Sequence, residues 1–149
     1  ILFFLQKIQS STLSASESKM LEKQIEALNI LETAADLITT DLVEAAEHRI
    51  TNNFKASENT IEKLGELYVI SLESFSEALR IFKGILSKKR AVNLSKSNFK
   101  DKFQDVRSYL MQRLTQTDEH RIAIYRFESE VLESIRRLHA LARRLERKA

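Results

Sequence analysis

The chain contains no cysteine, no proline and no tryptophan, and only two glycines among its 149 residues. Without cysteine it has no disulfide framework, no thiolate metal site and no cysteine nucleophile. Because proline and glycine supply most tight turns, their scarcity favours long helices with few connections. The glycines stand alone at Gly65 and Gly84, which excludes a glycine-rich phosphate-binding loop. The composition therefore predicts one all-α domain over residues 1–149.

Long apolar runs and a strong charge bias are also missing. No stretch approaches the roughly 20 apolar residues that cross a bilayer, and the longest apolar cluster, Ile1 to Leu5, is followed at once by polar Gln6 and Lys7. The net charge is only +3 and the signs are interspersed, so we expect no nucleic-acid partner. Because the chain opens on this amphipathic stretch without a methionine, we interpret it as part of a longer protein, with residues 1–10 the remnant of a preceding helix.

Helix start and stop signals divide the chain into four long segments. Ser14 and Glu17 have the spacing of a capping box, and Ser57 is a good N-cap residue. The predicted helices run from about Ala15 to Ile50, from Ser57 to between Gly84 and Ser87, from Lys88 to about Thr115, and onward from a cap at Thr117-Asp118. Long segments joined by short turns must alternate in direction, so the sequence predicts an up-and-down antiparallel bundle.

Heptad spacing predicts the core of two of these helices. In the second helix the repeating positions are Ile61, Tyr68, Phe75 and Phe82, and between them lie Leu64, Ser71, Ala78 and Ile85. In the last helix they are Ile124, Val131, Leu138 and Leu145. We predict that both rows face the interior, because an aromatic row at helical spacing is typical of a core rather than of a cofactor site.

The first long helix carries an acid inside its apolar stripe. The stripe that we predict consists of Leu28, Leu31, Ala35, Ile38 and Leu42. Glu32 falls within it, and Asp36 falls at its margin one turn later. An unpaired buried carboxylate costs several kcal/mol, so Glu32 requires a cation from another helix, a bound metal or a wet end of the stripe. The pattern leaves these three alternatives open.

A second acid occupies the same heptad position in the last helix. Glu128 follows Phe127 as Glu32 follows Leu31, which hints at an internal duplication. The match is partial, because Leu132 stands where the first copy has Asp36. If the first and last helices are neighbours, Glu128 could add a third ligand to a weak site formed by Glu32 and Asp36.

Two further patterns bear on function. A di-iron carboxylate enzyme uses two Glu-x-x-His motifs, and the chain has none, because His48 follows Glu44 by four residues and neither His120 nor His139 has an acid three residues before it. We therefore expect no enzymatic activity. The C-terminal helix is rich in arginine, which predicts contact with an anionic lipid surface if the domain lies beneath a membrane.

The chain resembles the PhoU family of phosphate-uptake regulators, and most closely the PhoU-like cytoplasmic domain of bacterial sodium/phosphate cotransporters. The resemblance covers most of the chain and is most specific over about forty residues. It is carried by Leu13-Ser14, Glu17-Ser18, Leu31-Glu32, Asp36-Leu37-Ile38, Leu42-Val43, Ala45-Ala46 and Arg49-Ile50.

The resemblance implies a metal site. In the family, a Glu/Asp-x-x-x-Asp motif in each half can hold iron or zinc, and Glu32 and Asp36 match the first motif. Glu128 matches only the leading acid of the second motif, because Leu132 replaces its aspartate. Ala35 stands where the family usually has a glycine.

The resemblance also implies a function and partners. It predicts a non-catalytic regulatory domain of sodium-dependent phosphate transport at the cytoplasmic face of the inner membrane. The expected partner is the membrane transporter portion of the same chain. Independently of the resemblance, the apolar cluster Ile1 to Leu5 predicts self-association into a homo-oligomer, because a contiguous apolar patch normally finds a partner. The alternatives are a stand-alone phosphate-uptake regulator and a helical interaction module whose acids are ordinary surface charges.

Overall fold

The computed structural model describes residues 7–8, 13–84, 95–115 and 120–148. The helices are α1 (Ala15–Asp36), a π-helical turn (Leu37–Leu42), α2 (Val43–Thr51), α3 (Glu58–Phe82), α4 (Ser95–Arg113) and α5 (Arg121–Lys148). These described residues contain no β-strand. The all-α prediction is confirmed.

The first three elements form one continuous helical segment, as the sequence predicts. Its capping box is present: the backbone N–H of Ser14 donates to Glu17 Oε2 (2.8 Å), and the backbone N–H of Glu17 donates to Ser14 Oγ (3.3 Å). The six-residue π-helical turn interrupts the α-helix without ending it. The segment ends at Asn52, and Asn53 turns the chain with a φ of 51°.

The other predicted boundaries agree with the structure to within about two residues wherever the chain is described. Ser57 caps α3, because the backbone N–H of Thr60 donates to its hydroxyl (3.2 Å). The helix ends at Phe82, and Gly84 follows with a φ of 70°, which favours glycine. The predicted start of the third helix at Lys88, the cap at Thr117-Asp118 and the apolar cluster Ile1 to Leu5 lie outside the described residues.

Contacts between helices show how the segments are arranged. Residues early in α1 meet residues late in α5, as Lys148 and Glu26 do, and residues late in α3 meet residues early in α1. The side chain of Lys102 in α4 bonds Glu66 in the middle of α3, while Arg113 at the end of α4 bonds Ser57 at the start of α3. Successive long helices therefore run in opposite directions, which confirms the up-and-down bundle.

Helices α3 and α5 form the central pair, with α1 on one side and α4 on the other. The core between α3, α4 and α5 is built from Leu64, Leu67, Phe99, Phe103, Val106, Leu110, Leu132 and Ile135. Two smaller clusters lie between α1, α3 and α5, one around Ile30 and Leu145 and the other around Leu37 and Leu138. The predicted row of α5 is buried at Ile124, Leu138 and Leu145 and half-buried at Val131.

The heptad row predicted for α3 is only partly correct. Tyr68 and Phe75 are half-buried against the α1 side of the core. Ile61, however, is 49% exposed. The interleaved positions Leu64, Ser71 and Ala78 are buried, as predicted, and Leu67 has none of its surface exposed. Small side chains allow the central pair to pack closely, which explains why the aromatic row lies at the flank.

Candidate functional site

Glu32 and Asp36 are both exposed, so the prediction that Glu32 lies on the inner side of α1 is wrong. The buried stripe is Leu21, Ala27, Ile30, Ala34 and Leu37, one residue out of phase with the predicted one. The sequence offers both phases, because apolar residues occur here as adjacent pairs such as Ile30-Leu31 and Ala34-Ala35. The stripe that is buried in the structure places two alanines against the neighbouring helices and leaves Leu31 half-buried.

Glu128 has the opposite environment, with none of its surface exposed. The Nη2 of Arg121 donates to its Oε2 at 2.6 Å, and the Nη1 of Arg113 donates to its Oε1 at 3.3 Å. Arg121 is itself only 3% exposed. A buried carboxylate needs a partner of opposite charge, and here two guanidinium groups supply it.

The network continues from Arg113 into the start of α3. Its Nη1 donates to Ser57 Oγ (2.9 Å) and to Thr60 Oγ1 (2.5 Å), and Ser57 Oγ is 3.2 Å from the hydroxyl of Tyr109. Burial alone would raise the pKa of Tyr109, but the hydroxyls of Ser57 and Thr60 and the charge of Arg113 outweigh it and lower that pKa. The network therefore joins the N-cap of α3, the end of α4 and the first half of α5.

These contacts decide whether Glu128 can complete a metal site. Each of its carboxylate oxygens already accepts a bond from an arginine, and Leu132, which replaces the second acid, is a buried core residue. Nowhere in the described ranges do three acidic or histidine side chains form a group that could hold a metal ion. Glu128 therefore does not join Glu32 and Asp36. Weak binding by that pair alone, with water as the other ligands, stays a prediction.

A groove runs between the first helical segment and α5, beside the exposed acids. It encloses about 660 Å³. Its walls are Thr33, Asp36, Leu37, Thr40 and Asp41 on one side, and Arg137, Ala140, Leu141, Arg144 and Arg147 on the other. Asp41, in the π-helical turn, forms an ion pair with Arg137 across the groove. The π-helical turn thus places an acid over α5, in keeping with the frequent occurrence of such turns at functional sites.

Most basic residues of the second half of α5 already have acidic partners. The ion pairs are Arg136 with Glu133, Arg137 with Asp41, Arg143 with Glu146 and Lys148 with Glu26. Arg144 and Arg147 are exposed at the edge of the groove. Within the described part of the chain, neither of them forms an ion pair, and neither do Glu32 and Asp36. The groove is therefore flanked by free charges of both signs.

His139 is the one histidine of the chain that is buried, and its surroundings favour the neutral ring. The imidazole stacks on Phe99 with ring centroids 3.8 Å apart, and its Nδ1 has no hydrogen-bond partner. Burial, with a smaller effect from the charge of Arg143, lowers the pKa of His139 to about 4. The ring of His139 therefore packs in the interface between α4 and α5 rather than on the surface.

The arginines around Glu128 were not identified from the sequence. One signal was available: Arg121 precedes Glu128 by seven residues, which places both side chains on the same face of α5. The other partner, Arg113, comes from a different helix, so its contact depends on how α4 meets α5.

Comparison with known proteins adds no further assignment. No family model, no curated protein and no solved structure matches the chain. Among the described residues, no helix combines the length and the hydropathy required to cross a bilayer.

Proposed function

We propose that the chain is a non-catalytic regulatory domain of sodium-dependent phosphate transport, acting at the cytoplasmic face of the inner membrane. The proposal rests on the resemblance at Leu31-Glu32 and Asp36-Leu37-Ile38 and is consistent with the all-α bundle. In this proposal, the domain works by contact with the membrane portion of the same chain.

The observation that carries the contact is an apolar row on α3. Ile61, Val69 and Leu72 are 49%, 51% and 42% exposed, and their spacing places them on one face of α3. Gly65 lies in the same row and has no atom near its missing side chain, so a second helix could approach closely there. Covering each apolar side chain would contribute roughly 1 kcal/mol. An exposed row of this kind is typical of a surface that receives an amphipathic helix.

The first test is the coding sequence upstream of Ile1. We expect several apolar segments, each long enough to cross a bilayer. The second test measures sodium-dependent uptake of radiolabelled phosphate by membrane vesicles that contain the full-length chain. Replacing Val69 and Leu72 by glutamate should change uptake about fivefold or more, because the regulatory contact is broken. Ile122→Glu is the matched control, since Ile122 is 72% exposed on α5, away from the row.

Two outcomes would contradict the proposal. One is an upstream sequence without membrane segments, which would favour a stand-alone regulator. The other is unchanged uptake in the Val69→Glu and Leu72→Glu variant with circular dichroism showing a folded domain, which would favour a helical interaction module unrelated to transport.

Contact with anionic lipids remains a separate prediction for the arginines of α5. Because Arg136, Arg137 and Arg143 are engaged in ion pairs, Arg144 and Arg147 are the basic residues best placed to meet lipid headgroups. If this contact forms, the chain should sediment with anionic vesicles at low salt but not with neutral vesicles. Equal sedimentation with both kinds of vesicle would contradict it.

A further inference from the structure

We propose that the face carrying Glu32, Asp36, Arg144 and Arg147 is a two-fold interface with a second copy of this chain. This bipolar face, as we call it, consists of those four residues and the groove between them. The proposal does not depend on the proposed function, because it follows from the arrangement of charge on α1 and α5.

The first step is that the four charges are available. Glu32 and Asp36 lie one turn apart on the exposed side of α1, and Arg144 and Arg147 lie one turn apart on the exposed side of α5. In the part of the chain that the structure describes, none of the four takes part in an ion pair, although the neighbouring charges Glu26, Asp41, Arg137 and Lys148 all do. The free charges are thus segregated, with acids on one helix and bases on the other.

The second step is that this segregation is self-complementary. Two ion pairs, Glu26 with Lys148 and Asp41 with Arg137, show that α1 and α5 are antiparallel neighbours, and the four free charges lie between these pairs. The acids project from α1 on one side of the groove and the arginines from α5 on the other. A two-fold axis that lies in the plane of the face, perpendicular to the line joining the acids to the arginines and through its midpoint, places the acids of each copy opposite the arginines of the other. Every contact then occurs twice, as a closed dimer requires.

The third step is that the centre of the face can be approached closely. Thr33, Thr40 and Ala140 are small and exposed, while Leu37 and Leu141 give the groove an apolar floor. Apolar centres surrounded by polar groups are typical of protein interfaces.

A second copy fits the charge pattern better than other occupants. A lipid surface or an acidic peptide would satisfy Arg144 and Arg147 but would place negative charge beside Glu32 and Asp36. A basic peptide would pair with Glu32 and Asp36 but would place positive charge beside Arg144 and Arg147. A second copy presents both signs in the required positions.

The test uses charge reversal and sedimentation equilibrium on the purified chain. One variant combines Glu32→Lys with Asp36→Lys, which makes the bipolar face wholly cationic. The other combines Arg144→Glu with Arg147→Glu, which makes it wholly anionic. We expect the wild-type chain to form a dimer, and each variant to raise the dimer dissociation constant at least about tenfold by placing like charges opposite each other. An equimolar mixture of the two variants should restore a 1:1 dimer.

The matched control combines Glu62→Lys with Arg107→Glu. Both residues are exposed, on α3 and α4, outside the bipolar face, so the dissociation constant should stay unchanged. Circular dichroism on all three variants checks that the helices are retained.

Three outcomes would overturn the proposal. They are a wild-type chain that stays monomeric at high concentration, folded charge-reversed variants that dimerise as well as the wild type, and a mixture in which no heterodimer forms. If the wild-type monomer instead sediments with anionic vesicles, the arginines serve a lipid contact. The proposed transport function is judged by phosphate uptake and can fail or survive separately.

Discussion

Two acids with the same local sequence pattern have opposite environments in this protein. Glu32 follows a leucine in α1 and is exposed, whereas Glu128 follows a phenylalanine in α5 and is completely buried. The surroundings account for the difference. Arg121 and Arg113 meet the carboxylate of Glu128, while no cation of the described residues pairs with Glu32. The rotation of α1 places Glu32 outside its buried stripe, whereas Glu128 lies in the core of α5 and is buried together with its counter-charges.

The largest expected effect is on the free energy of unfolding, and it distinguishes these two acids. Glu128→Ala should lower the free energy of unfolding by about 3 to 5 kcal/mol, because it leaves Arg121 and Arg113 buried without their partner. Glu32→Ala, the matched control on the exposed helix face, should change it by less than about 0.5 kcal/mol. Urea denaturation followed by circular dichroism measures both. Similar losses of unfolding free energy for the two variants would contradict the claim that the two acids have opposite environments.

The next effect concerns the residues one turn beyond each acid. Leu132 is 3% exposed, so Leu132→Ala should cost about 2 to 4 kcal/mol by removing core contacts and opening a cavity. Asp36→Ala, at the corresponding position of α1, should be nearly neutral or slightly stabilising, because alanine is the better helix former. The same denaturation experiment applies. A loss of more than about 1 kcal/mol for Asp36→Ala would show that Asp36 has a structural partner.

A third expected effect is a pH dependence of the stability that comes from His139. Because the pKa of His139 is lowered to about 4 from 6.5, the unfolded chain binds a proton in this window that the folded chain does not. Stability should therefore decrease as pH falls from 6.5 towards 4 and should level off below that. Protonation of His139 should lower the free energy of unfolding by on the order of 1 to 2 kcal/mol. The loss is limited because stacking of the charged ring on Phe99 offsets part of the cost of burying the charge.

His139→Phe tests this contribution, because it keeps an aromatic ring against Phe99 and removes the titrating group. The difference in unfolding free energy between wild type and variant should change across the window, while carboxylates common to both proteins cancel. A difference that does not vary between pH 7 and pH 4 would contradict the assignment.

The smallest expected effect concerns metal. Glu32 and Asp36 supply two ligands and Glu128 is engaged elsewhere, so purified protein should contain much less than one iron or zinc ion per chain. Elemental analysis of the parent and of Glu32→Ala with Asp36→Ala gives the comparison, and the double variant should retain even less metal. Tight, stoichiometric metal that the double variant also retains would place the ligands elsewhere.

The sequence predicts where the helices begin and end better than it predicts which face of each helix is buried. Ser14, Glu17 and Ser57 were correctly identified as cap residues, because capping depends on a few neighbouring atoms. The predicted apolar stripe of α1 is one residue out of phase with the buried one, because adjacent apolar pairs allow either of two helix faces to be buried. Packing of Ala27 and Ala34 against other helices decides between those faces.

The candidate site was harder to predict for a related reason. Glu128 was recognised as unusual, but the sequence could not show that Arg113 reaches it from another helix. The π-helical turn that places Asp41 opposite Arg137 also has no local signal that we recognised. Contacts between distant segments depend on the packed bundle, and these contacts determine which charges are free.

The most direct test of the account is a double-mutant cycle on Arg121 and Glu128. Arginines hold the buried carboxylate of Glu128, which serves the fold, whereas Glu32 and Asp36 are exposed and form no ion pair with any described residue. Urea denaturation of Arg121→Ala, Glu128→Ala and the combined variant gives the coupling energy between the two side chains. We predict a coupling of about 2 kcal/mol or more, because Glu128→Ala leaves the buried Arg121 without its carboxylate, and Arg121→Ala leaves Glu128 with only the longer bond from Arg113. Losses that add within about 0.5 kcal/mol would contradict the claim, because the two groups would then act independently.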